Sequence, residues 1–232
     1  MFLETDRLIL RKFREEDFSE YCAYAMDEEM NRMMGNDMLD TVEAARECFD
    51  WLKDKEERSY CLVLKETGHL VGNLNITAGP EELRELEPLA GKQGRSLSFC
   101  VSRQYQRQGL MTEALRAVIA HLFDEEGMDY VQCGYFDFNT VSAKLQEKLG
   151  FVHLTTMTID FKGEKIRTVE QVLWKTEGTT IESMGGSIKR PAPGTRPGAG
   201  LLYHFSIISA VCHPLAACRF PALMLWMPLL LA

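Results

Sequence analysis

The chain has 232 residues, 46% of them hydrophobic and 26% charged, which suits a soluble globular protein with one sizeable core rather than two full domains. Its formal charge is −8, with the acids in excess up to residue 178; beyond that Lys189, Arg190, Arg196 and Arg219 stand against Glu182. Nucleic-acid binding rests on phosphate neutralisation by Lys and Arg, so this surface argues against a nucleic-acid partner and favours approach of a cationic amine or a basic peptide.

Met1 to Asp6 carries neither a basic region nor a long apolar run, so no secretory signal is expected. Leu3-Glu4-Thr5-Asp6-Arg7-Leu8-Ile9-Leu10-Arg11 passes from a polar start into a short strand. Arg14 to Tyr21 then opens a helix whose first turn is acidic, as the positive end of the helix dipole favours. After a second helix come two apolar runs, Ser59 to Leu64 and Leu70 to Ile76, joined by Glu66-Thr67-Gly68-His69, a hairpin signal. An insertion from Ala78 to Arg95 follows, with Gly79-Pro80 and four glutamates; it is read as a surface excursion or a short helix able to shape an acceptor site.

The most informative stretch lies between the strand Ser96 to Val101 and a helix from Gly109 to about Glu126, whose Met111, Leu115, Val118 and Leu122 recur on one face. It reads Tyr105-Gln106-Arg107-Gln108-Gly109-Leu110-Met111-Thr112-Glu113-Ala114. The first turn of a helix presents unsatisfied N–H groups and about half a positive charge, and a glycine lets backbone approach a phosphate closely. The segment reads as a pyrophosphate cradle. It lacks the Lys-Ser/Thr of a P-loop and the spacing of a dinucleotide fingerprint. Downstream, the strand Tyr130 to Phe136 leads into Asn139-Thr140-Val141-Ser142-Ala143-Lys144-Leu145-Gln146-Glu147-Lys148-Leu149-Gly150-Phe151. Asn139 is placed as an N-cap and Gly150 as a left-handed stop, with Leu145 and Leu149 as an apolar seam.

Taken together these segments resemble the GNAT superfamily of N-acetyltransferases. Gln106-x-x-Gly109 matches its cofactor signature, and Asn139-x-x-Ser142 with Glu147-Lys148-Leu149-Gly150-Phe151 matches its second one. The opening Thr5 to Arg11 followed by Glu15-Glu16-Asp17-Phe18, and Thr112-Glu113-Ala114, are similar to the ribosomal-protein alanine N-acetyltransferase branch. Met111 departs from the small residue usual at that position and is expected to turn into the core. The resemblance covers roughly residues 3 to 175 and implies an α+β fold. That fold has a single mixed, mostly antiparallel sheet of about seven strands flanked by helices, splayed between the fourth and fifth strands.

It also implies acetyl-CoA as the acetyl donor and no metal. The backbone of Phe99, Cys100 and Val101 would pair with the pantetheine amides. Amides of Gln106, Arg107, Gln108, Gly109, Leu110 and Met111 would hold the pyrophosphate, and Asn139 and Ser142 the arm near the thioester. Many relatives place a tyrosine, able to protonate the leaving sulfur, where this chain has Gln146. Tyr135 and Asp137 are carried as catalytic candidates, with Glu113 beside them. The implied reaction moves an acetyl group to a primary amine, a protein N-terminus or a small molecule, by direct attack in a ternary complex. A non-catalytic acyl-CoA sensor is the alternative, and a homodimer is left open.

Seven cysteines, an odd number with no Cys-x-x-Cys spacing, read as reduced thiols in a cytoplasm; Cys61, Cys100 and Cys133 fall in strands as small buried hydrophobes. The acetyltransferase domain is expected to span 3–176, followed by a Gly/Pro-rich linker over 177–200. An apolar tail over 201–232 is read as a read-through extension, with a membrane anchor (and so a tethered acyltransferase) or a partner-docking segment as the other readings.

Overall fold

A computed structural model describes residues 1–35, 39–54, 58–161 and 163–176. The expected linker and tail lie outside the described residues. Eight strands form one sheet in the order β1-β2-β3-β4-β5-β6-β8-β7. They are β1 (Leu3–Glu4), β2 (Leu8–Arg11), β3 (Arg58–Leu64), β4 (Leu70–Thr77), β5 (Gly94–Val101), β6 (Tyr130–Phe136), β7 (Val152–Phe161) and β8 (Glu164–Trp174). The strand beyond the expected seven is the two-residue β1, which pairs back on β2 through Leu3–Leu10 and Glu4–Ile9. The helices are α1 (Phe18–Ala25), α2 (Glu28–Met34), α3 (Val42–Asp54), the short α4 (Glu81–Arg84), α5 (Leu110–Asp124) and α6 (Thr140–Lys148). No helix among the described residues is long and apolar enough to cross a membrane.

Two cores sandwich the sheet. The larger one gathers Leu8, Leu62, Leu74, Leu115, Val118 and Leu122 with other residues between the sheet and α5. Its helix is buried over much of its circumference, Met111 included at 8% exposure, because small residues such as Ala114 and Ala117 let it sit deep against the strands. The second core packs α1 and α3 on the other face through Phe13, Tyr21, Tyr24 and Phe49, whose rings meet largely edge to face. Cys61, Cys100 and Cys133 are buried free thiols. Burial pushes the Cys61 and Cys100 thiols up to about 12, so neither is a nucleophile at neutral pH.

All neighbouring strands are antiparallel except β5 and β6, which the α5 crossover makes parallel. Their pairing covers only Gly94–Tyr130, Arg95–Val131 and Ser96–Gln132. Beyond it β5 follows β4 as far as Gly72–Val101, and β6 follows β8 as far as Phe136–Thr168. Each strand keeps its outer partner and leaves its inner one, which opens a V-shaped seam at the expected place. The insertion between β4 and β5 is no loose excursion. It forms α4 and a run of turns that bury Leu83 and Leu89, with Leu89 against Tyr130 and Val172 at the closed end of the seam.

Candidate active site

The seam exposes the inner backbone edge of Leu97 to Val101, since the outer edge is occupied by β4. Peptide groups along this edge are positioned to pair with an extended, amide-bearing ligand as a further strand would. Phe99 lies partly buried on the α5 side, and the Cys100 thiol reaches the Asn73 Oδ1 at 2.9 Å on the other. The Val101 carbonyl accepts the Gln106 side-chain amide at 3.0 Å, so that signature residue fastens the cradle to the end of β5.

At the mouth of the seam the chain turns into α5 through two left-handed residues, Arg107 (φ 62°) and Gly109 (φ 77°, ψ 4°). The earliest backbone bond of the helix runs from Glu113 N–H to the Gly109 carbonyl at 3.0 Å. Among the described residues no acceptor takes the amides of Arg107, Gln108, Gly109, Leu110, Met111 or Thr112. Orphan amides on a left-handed turn at a helix start form an anion-binding concavity. They fit a diphosphate, and the adjoining strand edge fits the amide-bearing arm of coenzyme A. A bound coenzyme would supply the activated acetyl thioester.

Glu113, carried from the sequence as a proton-handling candidate, is instead committed to holding this turn. Its carboxylate accepts from Thr5 Oγ1 at 2.5 Å, Arg7 N–H at 2.9 Å and Arg7 Nε at 2.7 Å. The same guanidinium donates through Nη1 to the Gln108 carbonyl at 3.0 Å. Burial acts to raise the Glu113 carboxyl, but the bonds from Thr5 and Arg7 outweigh it and leave the group below its usual range. A carboxylate so saturated with donors is a clamp rather than a base.

Helix α6 begins beside the seam. Asn139 caps it, its Oδ1 accepting from Ser142 N–H at 3.1 Å, while its Nδ2 donates to the Met33 carbonyl of α2 at 3.0 Å. Ser142 Oγ accepts from Gln146 Nε2 at 3.0 Å, which leaves the hydroxyl hydrogen free to donate elsewhere. Gln146 is fully buried, so the residue standing in place of a tyrosine orients Ser142 from within the fold. The two roles of Asn139 can be separated. Asn139→Ala removes cap and tether together and should cost about 0.5–2 kcal/mol of stability. Asn139→Asp keeps the cap oxygen but loses the donor to Met33, so urea titration should place its stability between Asn139→Ala and the parent.

Tyr135 lies on β6 near Glu147 of α6, and burial together with that carboxylate raises its phenol above the ordinary value. Asp137 stands exposed in the following turn, its N–H bonded to the Arg167 carbonyl at 3.0 Å. Two residues escaped the sequence reading. Arg7 is brought to the cradle across more than a hundred positions by the β2–α5 packing, and no local pattern signals it. Glu170 of β8 sits half-buried on the far side of β6; the signal available was a lone acid interrupting the apolar alternation of a strand.

Comparisons with known proteins agree with this geometry. A family profile described as an acetyltransferase (GNAT) domain matches residues 7–152. The uncharacterised N-acetyltransferase YoaA of Bacillus subtilis (strain 168) is 24% identical over 153 residues, covering 64% of this chain and 81% of its own. The fold is shared with an acetyltransferase (GNAT family) from Bacillus anthracis, at TM-score 0.65 and 19% identity over 75% of this chain and 98% of that one. It is also shared with the spermidine N-acetyltransferase of Vibrio cholerae, solved with CoA and spermine, at TM-score 0.58 and 13% identity over 72% and 95% of the two chains.

Proposed function

Because the chain belongs to the GNAT acetyltransferase family, we propose that it transfers an acetyl group from acetyl-CoA to a primary amine by direct attack in a ternary complex. The observation that carries this reading is the run of orphan amides from Arg107 to Thr112 at the mouth of the open β5–β6 seam. In this reading the amides of Arg107 to Met111 hold the pyrophosphate, the Gln106 N–H expected among them being taken by the Arg103 carbonyl at 3.2 Å, and the free edge of Phe99, Cys100 and Val101 pairs with the pantetheine arm. Asn139 and Ser142 meet the arm near the thioester. Alignment of the two reactants supplies much of the barrier reduction, and backbone donors can polarise the carbonyl. Tyr135 is the proposed proton donor to the departing sulfur, and Asp137 a carboxylate that eases loss of the amine's proton through water.

The sequence likeness of the Thr5–Arg11 opening to the ribosomal-protein alanine branch supports a protein N-terminal amine, and the acidic surface suits any cationic acceptor. The domain is placed at 3–176 on the same likeness, in a cytoplasmic protein. Acetyl-CoA at 100 times its dissociation constant should stabilise the full chain by about 2.7 kcal/mol and raise its melting temperature accordingly. Absence of a shift at millimolar cofactor would remove the proposal. Thiol release with a panel of amines then separates an enzyme from a sensor.

A further inference from the structure

The sheet face that carries α1 and α3 holds a polar row that the cofactor reading leaves unused. Strand alternation and cross-strand register bring Asn73 and Asn75 of β4, Ser98 of β5, Gln132 of β6, and Glu170 and Thr168 of β8 onto that face. Asn73 Nδ2, Asn75 Oδ1 and Thr168 Oγ1 are buried without a hydrogen-bond partner, and their residues are 3%, 5% and 8% exposed. An unpaired buried polar atom costs about 1–3 kcal/mol, so three on one face form a row able to take a polar ligand.

Glu170 lies at the β8 end of this row, opposite Gly134 in the β6–β8 register. A Cβ on Gly134 would come within 2.5 Å of both carboxylate oxygens. The glycine therefore gives the carboxylate room to lie over the β6 backbone, two residues past the last β5–β6 pair at Gln132. No ion pair neutralises it among the described residues. Burial pushes its carboxyl above the usual range, with Gln132 beside it drawing the other way. The titratable neighbour on β6 is the Cys133 thiol, itself raised by burial, and β7 opposes Glu170 with the neutral Thr155.

We infer that this row is the acceptor site and that Glu170 is the residue that holds the incoming ammonium and takes its proton. The inference rests on the acetyltransferase reading and gives it a direct base, where Asp137 acts on the amine's proton only through water. The ammonium N–H proton passes to the carboxylate, and the freed lone pair forms the C–N bond to the thioester carbonyl carbon, whose π pair moves onto oxygen. As the carbonyl re-forms, the C–S bond breaks and its electron pair leaves on sulfur. Tyr135 protonates the departing sulfur and regains a proton from water, the excess proton on nitrogen passes to solvent, giving amide and free thiol, and Glu170 returns its own proton to water. The unpartnered Asn73 Nδ2 would donate to, and the unpartnered Asn75 Oδ1 accept from, polar groups next to the amine, so an acceptor with amide neighbours fits the row better than a bare methylene chain.

The test is Glu170→Gln in the full chain, followed by thiol release from acetyl-CoA with an amine the parent acetylates, between about pH 5 and 9. The variant should fold. A carboxyl raised in the folded state contributes nothing unfavourable at low pH and destabilises increasingly as pH rises through its unfolded and then its folded value. Removing the charge should therefore raise the melting temperature at neutral pH. Expected is a fall in kcat/KM of about 100-fold or more near neutral pH, with the carboxylate's acid limb gone. The acetyl-CoA-induced rise in melting temperature should persist, and Glu170→Asp should recover part of the rate. A Glu170→Gln enzyme with parental kcat/KM and pH profile overturns the inference while leaving the acetyltransferase reading intact. Loss of the acetyl-CoA response in that variant alone overturns it in favour of a structural role. A parent that itself fails to respond to acetyl-CoA removes the reading and the inference together.

Discussion

Gly109→Val should weaken acetyl-CoA binding by about 100-fold, the equivalent of about 2.7 kcal/mol, while leaving the fold standing. The backbone at 109 is left-handed, with φ 77°, a conformation that costs an L-residue about 1–2 kcal/mol and a β-branched one more. The valine would relax toward a right-handed or extended conformation and turn the orphan amides of the cradle off their common target. Each hydrogen bond to a charged group is worth about 1.5–3 kcal/mol, so misaiming one or two accounts for the loss. The fold survives because the position is exposed and a Cβ there would meet only the Arg7 guanidinium, at 3.6 Å. Gly109→Ala, strained but small, should lose about tenfold or less. Calorimetric titration with acetyl-CoA measures all three proteins; equal affinity in Gly109→Val would mean the pyrophosphate sits elsewhere.

The largest loss of stability should come from outside the candidate site, where β2 leaves the sheet for α1. Arg11 and Asp17 form a two-pronged ion pair there, Nη1–Oδ2 at 2.6 Å and Nη2–Oδ1 at 2.8 Å, with side-chain exposures of 13% and 5%. The Arg14 amide adds a third bond to the same carboxylate at 2.7 Å, and the bonds that Arg11 donates to Asp17 hold the guanidinium above its usual range. Asp17→Ala leaves a largely buried guanidinium unpaired and should cost about 3–5 kcal/mol in urea denaturation. Replacing both partners, Arg11→Met with Asp17→Leu, should recover much of that loss because no charge is then left buried. A single mutant as stable as the parent would show that solvent reaches the guanidinium and the pair is not structural.

Local patterns carried a good deal of this molecule. Thr67-Gly68 between two apolar runs specified the β3–β4 hairpin, because Gly68 adopts the left-handed conformation (φ 74°) that a tight turn requires. Asn139 and Gly150 bounded α6 as a cap and a left-handed stop, since both signals act within one helical turn. Gln106-x-x-Gly109 located the helix start and its orphan amides for the same reason: the requirement for φ > 0 is a property of one residue and its neighbours.

What sequence distance hides is charge compensation. Glu113 stood beside the catalytic candidates until packing put Thr5 and Arg7 against it. Glu170 drew no attention in the sequence, and register placed it over Gly134. Gln146 read as a missing acid, and the fold made it the buried donor that orients Ser142. Propensity, capping and periodicity are short-range, so most elements, their order, the cradle turn and the family likeness were legible in the chain. Which acids are neutralised, which polar atoms stay unpaired and how far the β5–β6 seam opens were settled by packing across the sheet. Those outcomes depend on desolvation and on hydrogen bonds between residues many tens of positions apart, whose energies exist only once the sheet has assembled.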